Sequence, residues 1–162
     1  MSSNPSSEHA RTLGVVLVSK NHTVSTAESC TGGMIGAALT SVPGSSVWFK
    51  GGIIAYDNLI KISLLGVPQE TLDTFGAVSE QTVAAMAQGA ARILHTDCAI
   101  SVSGIAGPNG GTPEKPVGLV FIGICVTGNT TVYKHLFSGN REAVRRQAVA
   151  MSLKHCSEAI RQ

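Results

Sequence analysis

Between Ser79 and Val102 the hydrophobic pattern changes from that of a helix to that of a strand within a few residues. Val83, Met86, Ala87, Ala90, Ile93 and Leu94 recur at intervals of three and four, which predicts one apolar face of an α-helix. Ser79 stands where such a helix wants an N-cap. Cys98–Val102 then reads as a short apolar strand. A helix with one apolar stripe, followed directly by a strand, buries both best when helices are layered on a sheet.

The same alternation runs through the rest of the chain. Residues 8–20 have helical spacing at Leu13, Val16 and Leu17, and Thr23–Ala27 is β-rich. Thr31–Val42 predicts a helix with Met34, Ile35, Ala38 and Leu39 on one face, closed by the Pro43-Gly44 turn. Val47–Tyr56 is a strand interrupted by Gly51 and Gly52, which suggests a bulge or a close backbone approach. Asn58–Leu65 and Gln69–Thr74 are short helices, the first ended by Gly66 and Pro68. A Gly/Pro-rich loop covers Gly104–Pro116. Val117–Val126 and Thr131–Phe137 form a hairpin through Gly128-Asn129, and Ser138-Gly139-Asn140 opens a C-terminal helix. Strands alternating with helices and then one hairpin predict an α/β fold with a mixed, mostly parallel sheet. With no repeat or linker in view, 1–162 is read as one domain, with about 1–7 as a flexible lead-in.

Composition removes several function classes. Hydrophobic residues are 43% and charged residues 14% of the chain, which suits a packed core and not a disordered segment. A formal net charge of +2, without a basic stripe and with few aromatics, argues against a nucleic-acid partner. Cys30, Cys98, Cys125 and Cys156 are scattered, as reduced thiols are, and neither a disulfide framework nor a metal site is expected. No apolar run is long enough for a bilayer, and the N-terminus lacks the order of a signal peptide. The expectation is a cytoplasmic domain without a membrane partner.

Four stretches fall where strands hand over to helices, the usual ligand edge of an α/β sheet. In T-A-E-S-C-T-G-G, Ser29 is a helix cap or a nucleophile, with N–H groups near Thr31 and Gly32 for an oxyanion and with Gly32 and Gly33 admitting substrate. Cys30 is a minor candidate, since a thiolate at a helix start has a lowered pKa, but no His accompanies it. Glu28 as base for Ser29 is disfavoured because neighbours on a strand face opposite ways. In Y-D-N-L-I-K, Tyr56 and Lys61 are either packed and solvated or a relay and a general base. S-G-I-A-G-P-N-G-G is a surface loop or a backbone cradle for a nucleotide-like ligand. In S-G-N-R-E-A-V-R, Asn140 is an N-cap. Arg141 and Arg145 share a helix face at an end that opposes cations, which a bound phosphate would explain; two exposed arginines are the plain alternative.

Together with G-S-S-V-W-F-K-G-G-I-I-A-Y-D-N-L-I-K, G-A-V-S-E-Q-T-V-A-A-M-A-Q-G-A and S-V-S-G-I-A-G-P-N-G-G-T-P-E-K-P-V-G-L-V, these motifs resemble the CinA C-terminal domain family in order and over nearly the whole chain. Stand-alone members of that family include nicotinamide-nucleotide amidohydrolases of the PncC type; other members carry an extra N-terminal domain for which this chain is too short. The resemblance implies a three-layer α/β/α fold. It also implies hydrolysis of nicotinamide mononucleotide to nicotinate mononucleotide and ammonia, in pyridine-nucleotide salvage, without metal or cofactor. It assigns the nucleophile to Ser29, the general base to Lys61 and an assisting tyrosine to Tyr56. Arg141 and Arg145 then suit the phosphate, Ser103 to Gly107, Gly104 included, suit the ribose or ring, and Asn58 is a further substrate-binding candidate. A non-catalytic nucleotide-binding regulatory module and an amidohydrolase of another small nucleotide are the alternatives. Homo-oligomerisation stays open.

Overall fold

The computed structural model describes residues 4–162. Helix α1 spans Pro5–Lys20 and so begins three residues before the sequence pattern suggests. Asn4 is its cap, accepting from the Ser6 amide at 3.1 Å, and Pro5 supplies a first residue already set for the helix. The expected lead-in is corrected accordingly: residues 5–7 are helical, and residues 1–3 lie outside the described residues.

Then follow β1 (Val24–Glu28), α2 (Met34–Thr40), a 3₁₀ turn (Ser45–Val47), β2 (Phe49–Ile54), α3 (Asn58–Ser63) and α4 (Gln69–Phe75). The chain continues with α5 (Glu80–Leu94), β3 (Cys98–Gly104), β4 (Leu119–Val126), β5 (Asn129–Leu136) and α6 (Arg141–Arg161). The sheet order is β2-β1-β3-β4-β5. β1 pairs in parallel with β2 and β3, whereas β4 is antiparallel to both its neighbours. Four of the five strands therefore run the same way, as expected of a mixed, mostly parallel sheet.

Both readings of Gly51-Gly52 hold. The register steps from Val24↔Phe49 to Ser25↔Gly51, leaving Lys50 bulged, and a Cβ on Gly52 would overlap the Thr26 hydroxyl. The hairpin turn shifts by one residue. Thr127 and Gly128 carry φ of 47° and 89°, as a two-residue turn with a right-handed twist requires, and Asn129 already pairs with Val126.

Alternation along the strands separates the two faces. Ile100, Val102, Ile122 and Ile124 meet α1, α2 and α6 through Leu13, Leu17, Ile35, Leu39 and Leu153. On the opposite face small groups (Ala27, Ala99, Ser101, Gly123, Cys125) let α5 lie close through Met86, Ala87 and Ala90, while Leu119 and Phe121 meet Val83 of the same helix. Ser79 caps α5 by accepting from the Thr82 amide at 3.2 Å. Gly89 of α5 faces the Leu65 carbonyl so closely that a Cβ would strike backbone atoms unable to step aside. Gly89→Ala is expected to lower stability by about 3 kcal/mol, the upper end for overpacking, read as a fall in the urea midpoint.

No helix among the described residues is long and apolar enough to cross a membrane. Because β1, β2, β3 and β5 are co-directional, the segments leaving all four emerge at one edge of the sheet. The chain turns from β1 to β2 on one side, then returns to place β3 on the other, so β1 ends at the crevice where such sheets bind ligands.

Candidate active site

Ser29 follows β1 directly, and its amide donates to the Val102 carbonyl at 3.0 Å, extending the ladder by one residue. Next comes a tight turn. The Gly32 amide returns to the Ser29 carbonyl at 3.1 Å, and Gly32 and Gly33 have φ of 56° and 101°, which side-chain-bearing residues avoid. These two glycines hold α2 back to Met34, three residues later than the hydrophobic spacing suggests.

The cap reading of Ser29 is thereby corrected. The residue before α2 is Gly33, which has no side chain to cap with. Glu28 does that work. Its carboxylate accepts from the Thr31 hydroxyl at 2.6 Å and from the amides of Ile35 and Gly36 at 2.9 and 3.0 Å. Removing it leaves three donors, two of them buried, without that acceptor, so Glu28→Ala is expected to cost about 3 kcal/mol in thermal unfolding. Glu28→Gln, which keeps one acceptor oxygen, is expected to cost less.

Lys61 lies in α3, whose N-cap Asp57 accepts from the Leu59 amide at 2.7 Å. Its side chain is almost fully buried, at 1% exposure. Nζ is 2.8 Å from the Ala55 carbonyl, 3.3 Å from the Tyr56 carbonyl and 3.3 Å from Ser29 Oγ. Burial lowers the Lys61 pKa from its ordinary value, with Asp57 opposing the shift. A neutral amine has two N–H groups and one lone pair. The charged amine donates to all three oxygens; the neutral one, with both N–H groups on the two carbonyls, has a lone pair to which the Ser29 hydroxyl can donate.

Tyr56 accepts from Lys61 through its backbone carbonyl. Its side chain is 65% exposed, and its hydroxyl is 3.5 Å from Arg141 Nη2. Ser29, Tyr56, Asn58, Lys61, Ser103, Gly104 and Arg141 line one open pocket of about 170 Å³. Thr31, Gly32, Gly33, Gly107 and Arg145 are outside that lining. Thr31 is buried, and the Gly32 amide is engaged in the turn and so is not free for a ligand. The Gly107 carbonyl holds Arg141 Nη1 at 2.7 Å.

The arginine pair is divided. Arg145 Nε and Nη2 donate to the carbonyls of Cys30 and Thr31 at 3.0 and 3.3 Å, whereas Arg141 reaches the pocket. Glu142 and Arg146 form an exposed i,i+4 ion pair beside them. The Cys30 thiol is pushed up to about 12 by burial, opposite to the expectation for a helix-start thiolate, so it stays protonated at neutral pH. Ala77 and Val78, between α4 and α5, add an apolar wall that residue patterns did not assign. Its only sequence signal is membership of a segment carrying the family resemblance. Among the described residues no cluster of His, Cys, Asp or Glu could hold a metal ion.

The profile of the CinA C-terminal domain matches residues 6–160. A CinA-like protein of Endomicrobium trichonymphae is 50% identical over 144 residues, which are 89% of this chain and 34% of that protein. The chain thus spans about a third of the length of such relatives. Nicotinamide-nucleotide amidohydrolase PncC of Enterobacter agglomerans is 50% identical over 143 residues, covering 88% of this chain and 87% of that one. The crystal structure of competence/damage inducible protein CihA from Agrobacterium tumefaciens superposes with a TM-score of 0.94 at 40% identity, over 100% of this chain and 99% of that chain.

Proposed function

The chain belongs to the CinA C-terminal domain family, and we propose that it is an amidohydrolase converting nicotinamide mononucleotide to nicotinate mononucleotide and ammonia in pyridine-nucleotide salvage. The observation that carries this reading is the buried approach of Lys61 Nζ to Ser29 Oγ, 3.3 Å apart in the pocket wall. Similarity to the Enterobacter agglomerans amidohydrolase over nearly the full length of both chains supports the substrate.

In this mechanism neutral Lys61 takes the Ser29 proton as Oγ attacks the carboxamide carbon, and the carbonyl oxygen becomes an oxyanion. Collapse breaks the C–N bond, and Lys61 returns its proton to the departing nitrogen, which leaves as ammonia. The acyl group is then an ester on Ser29. Water, deprotonated by Lys61, attacks that ester; Ser29 recovers its proton and the carboxylate product leaves.

A pocket of about 170 Å³ is smaller than the ~300–1,000 Å³ usual for a whole small-molecule ligand. It suits the ring and carboxamide, with the ribose and phosphate lying across the open mouth beside Tyr56 and Arg141. The test compares the mononucleotide with its nucleoside lacking the phosphate. Wild-type protein is expected to prefer the mononucleotide. Arg141→Met is expected to lower kcat/KM for it by about 10²-fold and to leave the nucleoside nearly unaffected. Equal losses for both substrates would remove the phosphate role of Arg141.

A further inference from the structure

Arg145 lies one helical turn beyond Arg141 on α6, yet its guanidinium is committed to backbone. It binds the Cys30 carbonyl at 3.0 Å and, at 3.3 Å, shares the Thr31 carbonyl with the Met34 amide, which donates to it at 3.1 Å. The Ser29 carbonyl is taken by the Gly32 amide at 3.1 Å, so all three carbonyls of 29–31 are engaged. In a trans peptide the C=O and the following N–H point in opposite directions. Fixing the Ser29 carbonyl toward Gly32 therefore turns the Cys30 N–H the other way. Among the described residues that N–H has no backbone acceptor, and Cys30 forms part of the pocket wall. A free amide beside the nucleophile favours a developing oxyanion, whereas a free carbonyl swung into the same place repels it.

Resting on the amidohydrolase reading above, we propose that Arg145 is a positioning residue of that reaction and not a phosphate ligand. It ties the nucleophile turn to α6, keeps the Cys30 carbonyl off the reacting oxygen and leaves the Cys30 amide presented to it. Arginine suits the task because Nε and one Nη form a rigid edge that reaches two successive carbonyls; a lysine ammonium lacks that edge.

The test measures ammonia release by Arg145→Met and Arg145→Lys with both the mononucleotide and the nucleoside lacking its phosphate. Arg145→Met is expected to lower kcat on the order of 10²-fold, equally for both substrates and with KM little changed. Arg145→Lys is expected to recover only part of that loss. A loss carried by KM and confined to the mononucleotide would indicate phosphate binding and overturn the proposal. A crystal structure of Arg145→Lys is expected to show the Cys30–Thr31 peptide reoriented, and an unchanged peptide would also overturn it. Wild-type protein without ammonia release removes the amidohydrolase reading and the proposal together. An active wild type with an unimpaired Arg145→Met removes the proposal alone.

Discussion

Lys61→Arg is expected to lower kcat for ammonia release by about 10³- to 10⁴-fold, although the positive charge is retained. The mechanism asks Lys61 for a lone pair, and a guanidinium does not give one up at any working pH. Because Lys61 is 1% exposed, the larger head group also strains its site. Lys61→Met, close in volume and uncharged, separates the two effects and is expected to lose as much turnover while remaining folded. The pH profile supplies an independent readout. Burial lowers the folded pKa of Lys61 from 10.5, with Asp57 acting against it. Below that lowered pKa the amine is protonated and cannot accept from Ser29, so kcat rises with pH through it and levels off above. The limb is expected to vanish from the residual rate of Lys61→Met. A Lys61→Arg protein keeping a tenth or more of the wild-type kcat contradicts the base assignment.

Ser29→Ala is expected to reduce turnover by at least about 10⁴-fold, as removal of the nucleophile does in a serine hydrolase. Ligand binding should survive, because the hydroxyl is one small part of the pocket wall. Cys30 is the control within the same turn. Its thiol is buried and held near 12, so it is almost entirely protonated at neutral pH, and no histidine lines the pocket to activate it. Cys30→Ala removes the thiol but keeps the amide, and is expected to lose no more than about tenfold. A Cys30→Ala protein as inactive as Ser29→Ala would shift the chemistry to sulfur.

The layered fold was legible because its signals are local. The stripe from Val83 to Leu94, the Ser79 cap and the apolar run from Cys98 each follow from neighbours in the chain, and α5 and β3 stand where those patterns put them. Boundaries moved where backbone conformation outweighed hydrophobic spacing, as at α2, which waits until Gly32 and Gly33 have passed through positive φ. The pairing of Ser29 with Lys61 spans 32 residues, and composition and period carry no signal for it. Only the resemblance joined the two. Side-chain partners were the least legible. Glu28, which strand alternation disfavours as a base, caps α2, because a carboxylate at a strand end reaches the amides of the next helix. Arg141 and Arg145 share a face, yet the turn beneath Arg145 offers carbonyls while the pocket lies beside Arg141.

The most direct measurement is ammonia and nicotinate mononucleotide formed from nicotinamide mononucleotide by wild-type protein, with binding measured by calorimetry on the same preparation. The account predicts both products in equal amounts, at a rate proportional to enzyme. Tight binding of the mononucleotide with neither product formed would contradict it and make the pocket that of a nucleotide-binding module.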